Sequence, residues 1–176
     1  DDAVNYGGIG AVIGHEMGHG FDDQGSRYDA EGNMRNWWTE SDLEEFKKRT
    51  KRLIDQYSNY QVFSDLNVNG ELTLGENIGD LSGVTIAYRA YKISLEGKEA
   101  PVIDGLTGDQ RFFLGFAQIW RTKMREEAMR NRVATDPHSP AKFRVLGPLS
   151  HTSEFYEAFD VKEGDAMYIP PEQRVR

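Results

Sequence analysis

The fold is decided close to the start of the chain, where residues 8–20 read GIGAVIGHEMGHG. Within this stretch, His15 and His19 stand four positions apart. Residues four apart on a helix lie one turn apart on the same face, so the two imidazoles can converge on one tetrahedral metal ion. Glu16 is rotated by about 100° from His15, which sets it beside the metal, where it can take a proton from a metal-held water. The same residues are also compatible with a helix that carries two surface histidines.

The helix predicted around this motif runs from about Gly8 to Gly20 and is rich in glycine. Each glycine costs a helix up to about 1 kcal/mol relative to alanine. So many glycines in one helix therefore indicate close packing against other backbone.

A second segment, residues 74–80 with the sequence LGENIGD, offers a third ligand. A catalytic zinc uses three protein ligands and keeps one position open. Because the chain has no cysteine, Glu76 is the best candidate. Asp80, one turn further on, could accept the second ring N–H of a zinc histidine and fix its tautomer. An alternative stays open, since Thr73-x-x-Glu76 also matches a capping box, in which Glu76 would bind the Thr73 amide.

Helical signals dominate the rest of the chain, and no strongly alternating strand pattern appears. We predict one helix after the N-cap Thr39 and a second from near Thr73 to about Glu96. A third helix is predicted to start at the capping box of Thr107 and Gln110 and to stay apolar on one face as far as Met124. Asn69-Gly70 marks a turn. Shorter helical pieces are expected at residues 142–145 and 153–159.

Composition narrows the function classes. The chain has 176 residues and a net charge of −8 at pH 7. An acidic chain is a poor match for nucleic acid, whose phosphates need clustered Lys and Arg. We find no apolar run long enough to span a membrane and no targeting signal. We expect residues 1–176 to form a single domain, the C-terminal catalytic, zinc-binding part of a longer metallopeptidase.

Four segments together resemble the neprilysin family of zinc metallopeptidases: residues 5–23, residues 74–80, residues 116–120 (FAQIW) and residues 136–144 (DPHSPAKFR). The resemblance covers essentially the whole chain. It implies a mainly α fold with little β structure, a thermolysin-like zincin (gluzincin) catalytic part built on the His-Glu-x-x-His helix and a second ligand-bearing helix.

The resemblance also implies a role for each matching position. His15, His19 and Glu76 would hold one Zn²⁺ per chain, Glu16 would be the catalytic base, and Asp80 would orient a zinc histidine, His15 in our interpretation. The substrate would meet His138 as oxyanion donor, Arg144 at a carbonyl, and an apolar pocket formed by Val12, Ile119 and Trp120. Taken alone, His138 reads as a polar loop residue, Arg144 as part of a surface ion pair, and Phe116 and Trp120 as core. His151 matches no motif and is expected to be structural.

The function implied by the resemblance is a zinc-dependent endopeptidase. It would hydrolyse oligopeptides with a Glu-activated, zinc-bound water and prefer an apolar residue after the scissile bond. The alternative is a non-catalytic fragment that binds zinc or peptide and is inactive without the N-terminal half that family members carry upstream. A fourth protein ligand, such as His138 or His151, would favour that alternative. The expected partners are oligopeptides and the missing N-terminal half, without nucleic acid, and the expected location is extracytoplasmic: periplasmic, cell-surface or secreted.

Overall fold

The computed structural model describes residues 1–175, which form mainly helices and the segments that connect them. In chain order the helices are α1 (Asp2–Asn5), α2 (Ala11–Gly18), α3 (Glu40–Ser58), α4 (Leu74–Ser94), α5 (Gly108–Ile119), α6 (Glu126–Thr135), α7 (Ala141–Leu149) and α8 (Ser153–Phe159). The strands β1 (Gln61–Phe63) and β2 (Leu66–Asn67) form one short antiparallel hairpin. The predicted mainly α structure with little β is confirmed. Among the described residues, no helix has the length and apolarity needed to span a bilayer.

The opening helical segment is longer than predicted. It begins at Asp2 rather than near Gly8, because the Asp1 carboxylate caps α1 by accepting the Ala3 N–H at 3.2 Å. A π-helical turn (Tyr6–Gly10) joins α1 to α2, and a 3₁₀ turn (His19–Phe21) follows α2. The low intrinsic helix propensity of the glycines is offset by packing, since a Cβ on Gly7 would lie only 2.0 Å from the Phe112 carbonyl oxygen of α5.

Helices α2 and α4 pack together at very short range. A Cβ on Gly83 would lie 2.5 Å from the Ala11 carbonyl oxygen, and a Cβ on Gly79 would lie 2.7 Å from Cε1 of the His15 ring. Gly14 faces Gly83 in the same contact. The close backbone packing predicted from the glycines is therefore confirmed, and it brings the two motif-bearing helices side by side.

The predicted starts of α3, α4 and α5 agree with the structure, but the predicted end of α5 does not. Thr39 accepts the Asp42 N–H at 3.2 Å, and Thr107 with Gln110 forms the expected capping box. The predicted extension of the Thr107 helix to Met124 is wrong, because α5 ends at Ile119 and a separate helix, α6, begins at Glu126. Residues 121–128 are all exposed, so no apolar stripe holds them against the core as a continuation of α5.

Two buried clusters form the core, and α4 contributes to both. The larger cluster contains Ala3, Ala11, Val84, Ala87, Tyr91, Phe112, Phe113, Phe116 and Leu149. The smaller contains Leu53, Tyr57, Val68, Leu74, Phe143 and Val175. Because α4 is fixed from both sides, the residues of its first turns are held in defined positions relative to α2 and α7.

His151 connects the last described residues to α3. Its Nδ1 accepts the Val175 N–H at 3.0 Å, so Nε2 carries the proton and donates to Gln56 Oε1 at 2.9 Å. Burial lowers the pKa of His151 to about 4, with the positive charges of Arg174 and Arg52 acting in the same direction. The expected structural role agrees with this geometry, since both ring nitrogens are engaged away from the two motifs.

We predict that the folded state loses stability as the pH falls from about 6.5 toward 4. The fold holds the His151 ring neutral, whereas in the unfolded chain His151 takes up a proton near its ordinary pKa of 6.5. Its contribution to the free energy of unfolding is therefore complete above pH 6.5 and is lost as the pH falls toward 4. One such group contributes up to about 3 kcal/mol. Urea unfolding of the parent and of His151→Asn at several pH values measures the pH dependence of the free energy of unfolding. The variant should show a flatter pH dependence, and equal slopes for both proteins would contradict the prediction.

Candidate metal centre

The two motif histidines face the same space at the end of α2. The His15 and His19 ring centroids are 4.6 Å apart with their planes nearly perpendicular. His15 is buried and His19 is partly exposed. The pair is therefore not a surface feature of a solvated helix, which was the alternative interpretation of the motif.

Glu76 reaches this pair from the first turn of α4. Its Oε2 lies 3.2 Å from His15 Nε2, and its Oε1 lies 3.6 Å from His19 Nε2. The capping-box alternative does not form, because Thr73 makes no side-chain cap and its hydroxyl donates to the Asn69 carbonyl oxygen instead. His15, His19 and Glu76 are the one group of three or more His, Asp or Glu residues in the described part of the chain whose ligand atoms all lie within 4.8 Å of one another.

A carboxylate fixes the far side of each imidazole. Asp80 Oδ1 lies 2.9 Å from His15 Nδ1, and Asp22 Oδ2 lies 2.8 Å from His19 Nδ1. Each Nδ1–H then donates to its carboxylate, which leaves both Nε2 lone pairs directed toward Glu76. Asp80 was predicted for this position, whereas Asp22 was missed, although it stands only three residues after His19. Asp22 is itself held by the backbone N–H groups of Gln24 and Gly25.

The donor set fits a divalent cation. Two imidazole lone pairs and a carboxylate all present electron density to one point, an arrangement that needs positive charge between them. Glu76 Oε2 is buried and makes no hydrogen bond, although His15 Nε2 lies close to it. Ligands about 2.1 Å from a tetrahedral zinc lie roughly 3.4 Å from one another. The separations here are of that size, with 3.2 Å from His15 Nε2 to Glu76 Oε2 and 3.6 Å from His19 Nε2 to the other oxygen, Oε1. Two histidines and one carboxylate with a fourth position open are a donor set typical of catalytic zinc.

When no cation is bound, the charges around the centre determine the protonation of His15 and Glu76. Burial lowers the pKa of His15, but the carboxylates of Asp80 and Glu76 outweigh it and raise the value to about 9. Burial raises the pKa of Glu76, while His15, His138 and Arg144 together hold it below its usual value. The centre therefore favours a negative Glu76 that attracts either a proton on His15 or a metal ion.

His138 approaches the same carboxylate from the loop between α6 and α7. Its Nε2 lies 3.1 Å from Glu76 Oε2, and its Nδ1 lies 2.6 Å from Asp136 Oδ1. Asp136, which the sequence analysis did not single out, thus orients the ring. His138 lies outside the group of mutually close ligand atoms, and His151 is bound elsewhere. Neither supplies the fourth ligand that would indicate a closed, structural zinc site.

A cavity of about 120 Å³ borders His15. Its lining includes every residue predicted for the apolar pocket and every predicted substrate contact: Val12, Glu16, Ile119, Trp120, His138 and Arg144, with His15, Asp80 and Phe116 beside them. Trp120 therefore lines a cavity, whereas Phe116 also belongs to the buried core. A larger cavity of about 910 Å³ lies between α3, α4 and the C-terminal residues, and none of the three candidate ligands lines it.

Arg144 is buried against the centre rather than exposed at the surface. Its Nε and Nη2 each donate to Asp80 at 2.7 Å, and its guanidinium carbon lies 4.0 Å from the centre of the Trp120 ring. Arg144 therefore forms a buried, bidentate ion pair with Asp80 instead of the surface ion pair considered from the sequence. Arg144 fixes Asp80, which in turn fixes His15.

Comparison with known proteins agrees with this geometry. The profile of peptidase family M13 matches residues 1–175. Endothelin-converting enzyme 1 from Homo sapiens is 49% identical over 172 residues, which cover 96% of this chain and 22% of that protein. Neprilysin-11 from Caenorhabditis elegans is 50% identical over 162 residues, covering 89% and 19%. The inhibitor-bound crystal structure of a Mycobacterium tuberculosis zinc metalloprotease superposes with a TM-score of 0.97 at 56% identity, covering 100% of this chain and 28% of that one.

The chain belongs to peptidase family M13, so the predicted family is confirmed. It spans about a fifth of the length of the curated relatives that it matches.

We predict that Asp22→Asn weakens zinc binding roughly 10- to 100-fold, the usual effect of losing a carboxylate behind a ligating histidine. An amide can present either its NH₂ or its oxygen to Nδ1, so the His19 tautomer is no longer enforced. Competition against a chromogenic chelator measures the change. Asp104→Asn, which alters an exposed carboxylate in a surface turn, is the matched control, and equal affinities for both variants would show that Asp22 plays no part.

Proposed function

We propose that this chain carries the zinc centre of an endopeptidase that hydrolyses oligopeptides. The observation that supports it most strongly is the meeting of two imidazole Nε2 atoms with the Glu76 carboxylate, whose buried Oε2 makes no hydrogen bond, next to a cavity. His15, His19 and Glu76 would be the zinc ligands. A bound zinc would polarise the substrate carbonyl and lower the pKa of water toward neutrality.

Glu16 is proposed as the general base. It follows His15 on α2, is exposed, and lines the same cavity as His15. Its carboxylate would take the proton from the attacking water and then deliver it to the leaving amine. A carboxylate in this place can exchange protons with substrate and solvent, unlike Asp80, whose two oxygens are occupied by His15 and Arg144.

The remaining predicted residues would act on the substrate. Because His138 Nδ1–H donates to Asp136, His138 would act as the doubly protonated imidazolium, whose Nε2–H would donate to the oxyanion that develops on the carbonyl oxygen, an effect of roughly 3 kcal/mol for one donor. Arg144 uses Nε and Nη2 for Asp80, so a substrate carbonyl would meet its Nη1. Val12, Ile119 and Trp120 would receive an apolar side chain from the residue after the scissile bond.

An extracytoplasmic location, and the N-terminal half of the same protein as a partner, are part of the same proposal. They are supported by the family and by the small share of its relatives that this chain spans. A chain that binds zinc or peptide without hydrolysis is the alternative.

We predict that Glu16→Gln keeps one zinc per chain and loses hydrolysis, because the amide cannot accept the proton. Metal content by atomic absorption and cleavage of a short fluorogenic peptide, with and without a chelator, are the two measurements. Glu44→Gln on the exposed surface of α3 is the matched control and should cleave as the parent does. Equal rates for the parent and Glu16→Gln would refute the base assignment. A zinc-loaded parent that cleaves nothing would favour the non-catalytic alternative.

We also predict a preference for an apolar residue after the scissile bond. Peptides with Leu or Phe there should exceed otherwise identical peptides with Asp by at least about 10-fold in kcat/KM, because an unpaired charge is costly in an apolar pocket. Mass spectrometry of a peptide series locates the cleavage sites. Cleavage that is indifferent to this position would remove Val12, Ile119 and Trp120 from the pocket.

A further inference from the structure

A buried hydrogen bond joins the loop that carries His138 to the helix that carries Glu76. Ser139 Oγ donates to Asn77 Oδ1 over 2.8 Å, and both residues are almost completely buried. Two neighbours on α4 therefore face two neighbours in the loop, with Glu76 opposite His138 and Asn77 opposite Ser139. In the first of these pairs, His138 Nε2 lies 3.1 Å from Glu76 Oε2.

The orientation of Asn77 is set by a chain of hydrogen bonds. The Thr73 hydroxyl donates its proton to the Asn69 carbonyl oxygen at 3.0 Å, and its oxygen accepts from Asn77 Nδ2 at 2.9 Å. Because the single hydroxyl proton is already used, Thr73 can only accept from Asn77. Asn77 must therefore present Oδ1 to Ser139, which makes it a specific receptor for a hydroxyl donor in the loop.

The other polar contact of the loop around His138 acts differently. Asp136 Oδ1 binds both the backbone N–H and the Nδ1 of His138, at 2.8 and 2.6 Å. Since Asp136 belongs to the same loop, it orients the ring within the loop but does not set the distance from the loop to α4. The Ser139 bond reaches across to α4, and it lies in the core, whereas the His138 side chain is 38% exposed.

We propose that Asn77 and Ser139 are positioning residues for the peptidase reaction, and that their hydrogen bond holds His138 at the distance from Glu76 at which it can serve the reacting carbonyl. This inference rests on the proposed function, and in particular on His138 as the oxyanion donor. A displacement of about 1 Å at a reacting group can cost about 100-fold in rate. Losing the hydrogen bond should therefore affect turnover through His138, beyond any effect on stability.

The test is a double-mutant cycle on the zinc-loaded chain with a fluorogenic peptide. Ser139→Ala should lower kcat roughly 10- to 100-fold while KM and zinc content stay close to those of the parent. His138→Ala should lower kcat at least as much, and the double variant should match His138→Ala alone, because Ser139 has nothing left to position. Ser150→Ala, which removes another buried hydroxyl bound to a backbone carbonyl, should keep the parental kcat.

Two kinetic results would overturn the inference: a parental kcat in Ser139→Ala, or effects of the two single variants that multiply in the double variant. If Ser139→Ala does not fold, Ser139→Cys takes its place, since the thiol is a weaker donor of similar size.

The structural arm does not depend on activity. Crystal structures of the parent and Ser139→Ala should differ in the distance from His138 Nε2 to Glu76 Oε2, with an increase of roughly 1 Å in the variant. An unchanged distance would refute the positioning role of Ser139. A parent that binds zinc and cleaves no peptide would instead favour the non-catalytic alternative to the proposed function, while this distance would still decide the role of Ser139.

Discussion

The centre depends on one electrostatic constraint, the meeting of three electron-pair donors at a single point. The Nε2 atoms of His15 and His19 and the carboxylate of Glu76 would repel one another without a positive charge between them. The protein stabilises this arrangement from behind, through Asp22 and Asp80, which lock the tautomers, and through the bidentate ion pair of Arg144 with Asp80. A metal ion bound at this point would complete the charge balance that the fold leaves open.

Helix packing supplies the geometry for that constraint. The two motifs are far apart in sequence, and α2 and α4 bring them together only because glycines let the backbones approach. Gly83 meets the Ala11 carbonyl, and Gly79 leaves room for the His15 ring, where any larger side chain would overlap the imidazole. Each glycine lowers the intrinsic helix propensity by up to about 1 kcal/mol. This is the cost of bringing the candidate ligands of α2 and α4 close together.

Much of the helical structure and of the metal centre could be predicted from the sequence, because the signals for them are local. His-Glu-x-x-His defines a helix face, and Thr39 and Thr107 mark the starts of α3 and α5. Glu76 was ambiguous from sequence, since the same residue matched a cap and a ligand, and the structure removes only the cap, because Thr73 makes no side-chain cap and Glu76 faces the two histidines. Asp22 and Asp136 were missed although each stands within three residues of its histidine, and asking what fixes the second ring nitrogen would have found them. The bond between Asn77 and Ser139 and the break between α5 and α6 depend on tertiary packing and carry no local signal.

The most direct test of the account is anomalous diffraction at the zinc edge from crystals of this chain grown with one equivalent of zinc. We expect a single strong peak about 2.0–2.2 Å from His15 Nε2, His19 Nε2 and one oxygen of Glu76, with the fourth position taken by a non-protein ligand. A peak elsewhere, or a Glu76 side chain turned back toward Thr73, would contradict the account.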